Sequence, residues 1–261
     1  MSITSTGSLA QLHVAVTRPA VQAESLCLLL EQHGATVVRL PMQAIEPARQ
    51  SMRIERALSA AQAADLWIFT SANAVRHARS LFGVQWPLTI AVGPATAAAL
   101  GPRGGQPVVV PAHLHNSEGV LALPELQDVR GKRVVLITGE GGRDTIETTL
   151  NARGAEVQRI AVYRRVNLPY APEHIQAKLA AVQAIIVTNG EALQQVVART
   201  PAAGQAALLA TQLVVPSQRV VEQASQFGFT VAPLVPDQML DTACVHCLER
   251  WWSDRGRTPS A

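Results

Sequence analysis

The sequence predicts an α/β fold of two similar lobes, each a parallel sheet flanked by helices, and three observations predict it. Short apolar runs alternate with amphipathic stretches along the chain, the pattern of buried strands covered on both faces by helices. The chain also resembles itself at an offset of about 120 residues. VAVTRP (Val14 to Pro19) resembles VLITGE (Val135 to Glu140), and HGATVVRLP (His33 to Pro41) resembles RGAEVQRIA (Arg153 to Ala161). Finally, two proline-bearing extended segments, Pro41 to Pro47 and Tyr163 to Pro169, occupy equivalent places in the two copies, so the chain is expected to pass between lobes twice.

The first unit, A, opens on a strand at Val14 and turns at Pro19, whose fixed backbone suits a first helical turn. Leu26, Leu29 and Leu30 make an apolar stripe, and Gly34 fits the left-handed stop before a second strand. Unit B contains WIFTSANAV (Trp67 to Val75) and IAVGPATAAAL (Ile90 to Leu100). In A′, Gly154 repeats the stop, and B′ contains AIIVTNGEAL (Ala184 to Leu193) and VVPSQRVVEQA (Val214 to Ala224). B and B′ are each followed by another short apolar strand. The order is A, B, A′, B′, and the spacing leaves open whether A packs with B or with B′. Met239, Leu240, Val245, Leu248, Trp251 and Trp252 mark a last amphipathic helix. The opening Ser/Thr/Gly stretch and the closing SDRGRTPSA (Ser253 to Ala261) read as loose ends.

Composition narrows the function. Of 261 residues 48% are hydrophobic, enough for one large domain or two small ones, which excludes native disorder. Charged residues make up 16%, yet no apolar run approaches the ~20 residues that span a bilayer, so a soluble protein without a membrane partner is expected. The 22 basic and 19 acidic residues give +3 without a patch that would track a phosphate backbone, and no nucleic-acid partner is expected. Cys27, Cys244 and Cys247 cannot build a disulfide framework, and Met1 to Leu12 lacks the charged start and apolar core of a signal peptide. The cytoplasm is the expected compartment. No extended heptad run stands out, so a monomer is expected.

Ligands of open parallel sheets bind beyond the carboxyl ends of strands, where helix N-termini present free N–H groups. The repeat puts small polar residues there each time: Thr17 and Arg18; Thr70, Ser71 and Asn73; Gly93 and Thr96; Thr138, Gly139, Gly141, Gly142 and Arg143; Thr188, Asn189 and Gly190; Ser217 and Arg219. Each Ser, Thr or Asn can be a helix cap and nothing more, but their recurrence on both lobes points to a shared anion-binding cleft. GEGGR (Gly139 to Arg143) fits neither the dinucleotide nor the P-loop pattern, since the spacing fails at Asp144 and no GK[ST] exists. Cys244-Val-His-Cys247 lacks a second ligand pair and falls on the last helix, so core or surface cysteines are expected rather than a metal site. No nucleophilic triad, zinc-protease motif or close carboxylate pair is present. The seven histidines are scattered and read as surface or capping residues. Tyr163, one of two tyrosines, stands at the second lobe junction, where its phenol could face the cleft or pack at the joint.

These residues resemble the uroporphyrinogen-III synthase family. The resemblance rests on VTRP (Val16 to Pro19), IFTSANAV (Ile68 to Val75), AVGPATAAAL (Ala91 to Leu100), GEGGR, GAEVQRIAVYRR (Gly154 to Arg165) and VTNGEAL (Val187 to Leu193), in the right order from about Val14 to about Val235. It implies a first lobe from residues 1–41 and 169–261, a second from 48–162, and a two-stranded linker of 42–47 and 163–168, with A packed on B′ and B on A′. It also implies cyclisation of hydroxymethylbilane, a linear tetrapyrrole, to uroporphyrinogen III, without a cofactor. Tyr163 falls on the family's tyrosine that assists loss of the hydroxyl. Thr138 stands where family members often carry Arg, and Asn189 where they often carry a second hydroxyl residue. Arg18, Arg143 and Arg219 are the candidates for pairing with substrate carboxylates.

Two rival readings remain at this point. A non-catalytic two-lobed binding protein for a small anionic metabolite would share lobes and cleft, and a nucleotide-dependent α/β enzyme would share the sheets.

Overall fold

Apolar residues in strands that are buried on both faces must pack in two directions at once, and this requirement organises the molecule. The structure is a computed structural model and describes residues 7–81, 87–101 and 108–255. The chain begins with β1 (His13–Val16), α1 (Ala20–Gln32) and β2 (Thr36–Arg39), then enters β3 (Gln43–Pro47). There follow α2 (Ser51–Ala60), β4 (Leu66–Phe69), α3 (Ala72–Leu81), β5 (Leu88–Ala91), α4 (Pro94–Leu100), β6 (Val108–Val109), α5 (Ser117–Leu121), β7 (Arg133–Gly139), α6 (Thr145–Ala152) and β8 (Glu156–Asn167). The last stretch holds α7 (Pro172–Leu179), β9 (Ala184–Ile186), α8 (Gly190–Arg199), α9 (Ala202–Leu209), β10 (Gln212–Val214), α10 (Gln218–Gln226) and α11 (Asp241–Arg255).

The chain divides into two compact units, Met1–Ala44 with Val166–Ala261, and Ile45–Arg165. In the first, the sheet order is β10-β9-β1-β2, with β1 parallel to both β2 and β9. Along β1, Val14 and Val16 pack on one side with Leu26 and Leu30 of α1 and Val245 and Leu248 of α11. Ala15, between them, faces the other side with Ile185, Leu193 and Val220. Each large aliphatic side chain buried this way contributes roughly 1.5–3 kcal/mol. In the second unit the order is β3-β8-β7-β4-β5-β6. Trp67, Phe69, Val135 and Ile137 face one core, while Leu66, Ile68, Val134 and Leu136 face the other. Both units are therefore sheets flanked by helices, parallel apart from the edge strand β3, as the alternation of runs predicts. The pairings of β1 with β9 and of β4 with β7 put A beside B′ and B beside A′.

Gly34 and Gly154 end α1 and α6 at φ 92° and 87°, the left-handed conformation that a Cβ disfavours. Three local expectations need correction. Ser253, Asp254 and Arg255 are the last turn of α11 rather than a loose end, because Trp251 and Trp252 carry the helix's apolar face onto the core; residues 256–261 lie outside those described, as do 1–6 at the other end. Leu9 and Leu12 are fully buried, so the opening is anchored from Leu9 onward. The apolar stretch after B′ forms a single bridge, Val214 to Leu234, since prolines at 233 and 236 remove the N–H groups a longer ladder needs.

β3 and β8 carry the chain between units, changing over after Ala44 and after Arg165. They run in opposite directions: the Leu168 N–H donates to the Met42 carbonyl at 3.0 Å and the Ala48 N–H to the Val162 carbonyl at 3.2 Å.

Candidate active site

In the second unit the ends of β4, β7 and β8 bring the predicted polar residues together around one phenol. Tyr163 is 2% exposed. It reaches this place through an irregularity in the ladder: Thr138 pairs with Ala161, but Gly139 pairs with Tyr163, so Val162 is an extra residue on β8. The bulge re-aims the next side chain. Gly139 makes room for it, since a Cβ there would lie 2.5 Å from the ring carbon Cζ and 2.9 Å from the phenol oxygen. The Glu140 N–H closes the turn onto the Tyr163 carbonyl at 2.7 Å.

The phenol oxygen lies 3.2 Å from Ser71 Oγ and accepts a 3.4 Å contact from Arg165 Nη2. Ser71 also caps α3, accepting the Ala74 N–H at 3.1 Å. Thr70 Oγ1 donates to the Ile137 carbonyl or to Thr138 Oγ1, at 3.3 and 3.1 Å, tying the end of β4 to that of β7. Asn73 Oδ1 accepts from Arg76 at 3.1 Å. His77 stacks on the Tyr163 ring at 5.8 Å. Burial, and then the Arg76 charge, hold its imidazole below the ordinary value. The arrangement joins the Ser71 hydroxyl and the Arg165 guanidinium at a buried phenol, where hydrogen bonds are stronger than in water.

Nearby turns supply further donors. Gly93 is the extended N-cap of α4 and packs on His115, with Thr96 buried behind it. Gly141 and Gly142 have φ 73° and 87°, and nothing lies within 4 Å of where a Gly141 Cβ would be, so the GEGGR backbone is open to a ligand. Arg143 is already paired with Glu118 at 2.7 Å, both exposed. The Glu118 backbone N–H and then Arg143 hold that carboxyl below the usual carboxylate range.

The first unit repeats the design. Thr17 donates through Oγ1 to the Ile186 carbonyl at 3.0 Å, as Thr70 does to Ile137. Asn189 caps α8 by accepting the Ala192 N–H at 2.8 Å, as Ser71 does for Ala74. Its amide also donates to Gln43 at 3.2 Å, and Gln43 donates to Asn167 at 3.1 Å. A Cβ on Gly190 would lie 2.1 Å from Gln223 Oε1, whose amide donates to the Gly190 carbonyl at 3.0 Å. Ser217 is the extended N-cap of α10, in the place Gly93 takes in the other unit. Thr188 and Ser217 are half-buried and Arg219 is exposed. Arg18 is bound to Asp241 at 2.7 Å and to the Gln22 carbonyl at 3.3 Å, which fastens β1 to α11.

Sequence reasoning missed three partners. His77 is half-buried against Tyr163 rather than a surface or capping residue; its apolar neighbours Val75 and Ala78 were the available signal. Gln43, 1% exposed, links Asn167 to Asn189, and a buried Gln in an extended linker leaves no local pattern. Arg165 looks like one more linker cation in sequence. Cys244 and Cys247 are buried free thiols on α11, and burial pushes Cys244 up to about 11. Among the described residues no helix is long and apolar enough to cross a membrane.

A family model described as uroporphyrinogen-III synthase HemD matches residues 24–239. The uroporphyrinogen-III synthase of Escherichia coli (strain K12) is 35% identical over 225 residues, covering 83% of this chain and 92% of that protein. That of Proteus mirabilis is 30% identical over 190 residues, covering 70% of this chain and 96% of its own length. Among solved structures, a mutant uroporphyrinogen III synthase from the extremely thermophilic bacterium Thermus thermophilus matches with a TM-score of 0.64 and 22% identity, over 93% of this chain and 99% of that one. The uroporphyrinogen-III synthetase of Helicobacter pylori 26695 matches with a TM-score of 0.58 and 13% identity, over 94% and 100%. At such identities these two structures speak to the fold alone.

Proposed function

The chain belongs to the uroporphyrinogen-III synthase family, and from that premise we propose how it performs the family's reaction, the closure of hydroxymethylbilane to uroporphyrinogen III with loss of water. The activity is that of a cyclising lyase in tetrapyrrole biosynthesis. The pyrrole nitrogen lone pairs expel the hydroxymethyl oxygen, so the protein has only to protonate that oxygen and fold the chain of rings. Tyr163 gives the proton that leaves with the hydroxyl as water, Ser71 Oγ, 3.2 Å away, hydrogen-bonds the phenolate left behind, and the proton lost from the last ring on reclosure restores the phenol. The electrophile so formed is attacked by the substituted carbon of the last ring. The spiro intermediate fragments and recloses with that ring inverted. Holding this order is a matter of proximity rather than of a strong nucleophile, and no cofactor enters the scheme.

The carboxylate arms of the substrate are held by backbone N–H groups and side chains at the strand ends. In the second unit these are Thr70, Ser71, Asn73, Gly93, Thr96, Thr138, Gly139, Gly141, Gly142 and Arg143. In the first they are Thr17, Arg18, Thr188, Asn189, Gly190, Ser217 and Arg219. The reading takes residues 1–41 with 169–261 and 48–162 as the lobes, with 42–47 and 163–168 as the linker. It also takes the protein as a cytoplasmic monomer without a nucleic-acid or membrane partner. Tyr163 and its partner Ser71, brought together by the β8 bulge, are the observation that carries the mechanism. Protein given freshly generated hydroxymethylbilane shifts the cyclised product from isomer I to isomer III; an isomer ratio equal to that of the unaided closure overturns the reading.

A further inference from the structure

Beside the GEGGR turn of the second unit lies a cavity of about 400 Å³ that the mechanism above does not use, and Arg49, Arg53 and Arg159 line it with Gln50 and Glu140. Three guanidinium groups thus face one carboxylate. Arg49 makes no hydrogen bond or ion pair among the described residues. Arg53 gives one N–H to the neutral amide of Gln50 at 3.3 Å. It also sits in the first turn of α2, which contains no acidic residue, at the helix end where a cation is disfavoured. Arg159 donates to the Gly141 carbonyl and lies a loose 3.6 Å from Glu147. Arg159 therefore holds the glycine turn beside the cavity. The exposed Glu140 carboxyl and the Glu147 carboxyl beside Arg159 offset two of the three charges, which leaves an excess of one on the Arg49 and Arg53 side.

We propose that this cavity is a carboxylate subsite, in which Arg49 and Arg53 grip acidic side chains of one ring of the tetrapyrrole while Arg159 positions the turn beside them. The inference rests on the reaction proposed above and adds to it a place for arms that the strand-end donors leave free. Guanidinium forks match paired carboxylates in geometry as well as in charge. Phosphate or a free metabolite acid would satisfy the same chemistry, so the test has to tell the sources apart.

The full chain carrying Arg49→Ser with Arg53→Ser keeps its fold, since both side chains are exposed. Its KM for hydroxymethylbilane in the isomer III assay is expected to rise about five- to tenfold with kcat little changed, as for binding shared by ground and transition states. The effect should shrink as salt is raised. Calorimetry with citrate on unmodified protein is expected to show binding that the double variant loses, with inorganic phosphate binding more weakly. An unchanged KM overturns the proposal, and citrate or phosphate binding lost without a change in KM assigns the cavity to a free anion and overturns it equally. Failure of unmodified protein to enrich isomer III overturns the reaction itself, and is read before any arginine is changed.

Discussion

At the scale of single residues, the site depends on Gly139 having no side chain. A Cβ 2.5 Å from the Tyr163 ring has no slack to absorb it in a close-packed interior. Gly139→Ala is therefore expected to cost about 1–3 kcal/mol of stability and to slow closure more than Tyr163→Phe, which keeps the ring in place. Tyr163→Phe should slow isomer III formation by less than the ~10²- to 10⁴-fold of a lost general acid, because the pyrrole supplies much of the push. Single-turnover rates of the two folded variants check the order, and a Tyr163→Phe rate equal to that of the parent would move the proton source elsewhere. His77 makes the same pocket sensitive to acid. Its pKa is held below the ordinary 6.5, so the folded protein binds this proton less readily than the unfolded chain. The resulting stability is complete above 6.5 and is lost as the pH falls from there through the lower folded value. Melting temperatures followed downward through that window should fall more steeply for the parent than for His77→Gln.

At the scale of elements, the two caps Ser71 and Asn189 do the same work on α3 and α8, and their differences are testable. Ser71→Ala removes one cap bond and the contact with the Tyr163 phenol, which keeps Arg165 as a partner, and should cost about 1 kcal/mol. Asn189→Ala also strands the amide oxygen of Gln43, which is 1% exposed, and should cost about 2 kcal/mol or more. Denaturant midpoints of the two variants would show the gap, and equal losses would mean the Gln43 link is idle. The equivalence of these caps was legible in the sequence, because WIFTSANAV and AIIVTNGEAL carry it in adjacent residues. The bulge in β8 was not. Ile160, Val162 and Tyr163 all face one core, and no local pattern in IAVYRR says that the alternation slips between the last two. Its cause is the glycine opposite, on another strand. The Arg49, Arg53 and Arg159 cluster was hidden likewise, since over a hundred residues separate Arg159 from the other two and only the edge of the sheet unites them.

At the scale of the whole molecule, the repeat told which segments are alike but not which are neighbours, and so left the pairing of A open. Contacts between β1 and β9 close a loop of well over a hundred residues, information that lies in the total packing and in no window of sequence. The same packing shelters the thiols. Cys27 and Cys244 are 0% exposed and Cys247 is 6% exposed, all in the unit that contains both ends of the chain. The native protein should react with a thiol reagent about 10²-fold more slowly than the denatured chain. Comparable rates would mean that this unit opens readily. The interrupted layout also sets an order of assembly during synthesis. Residues 45–165 leave the ribosome as one uninterrupted stretch, with all the strands of their core, while Val14, Ala15 and Val16 have been waiting with one flank bare. Only when Ile185 and Leu213 emerge does the older half acquire its missing wall, so the part translated first is the part that matures last, with its early apolar strand uncovered in the meantime.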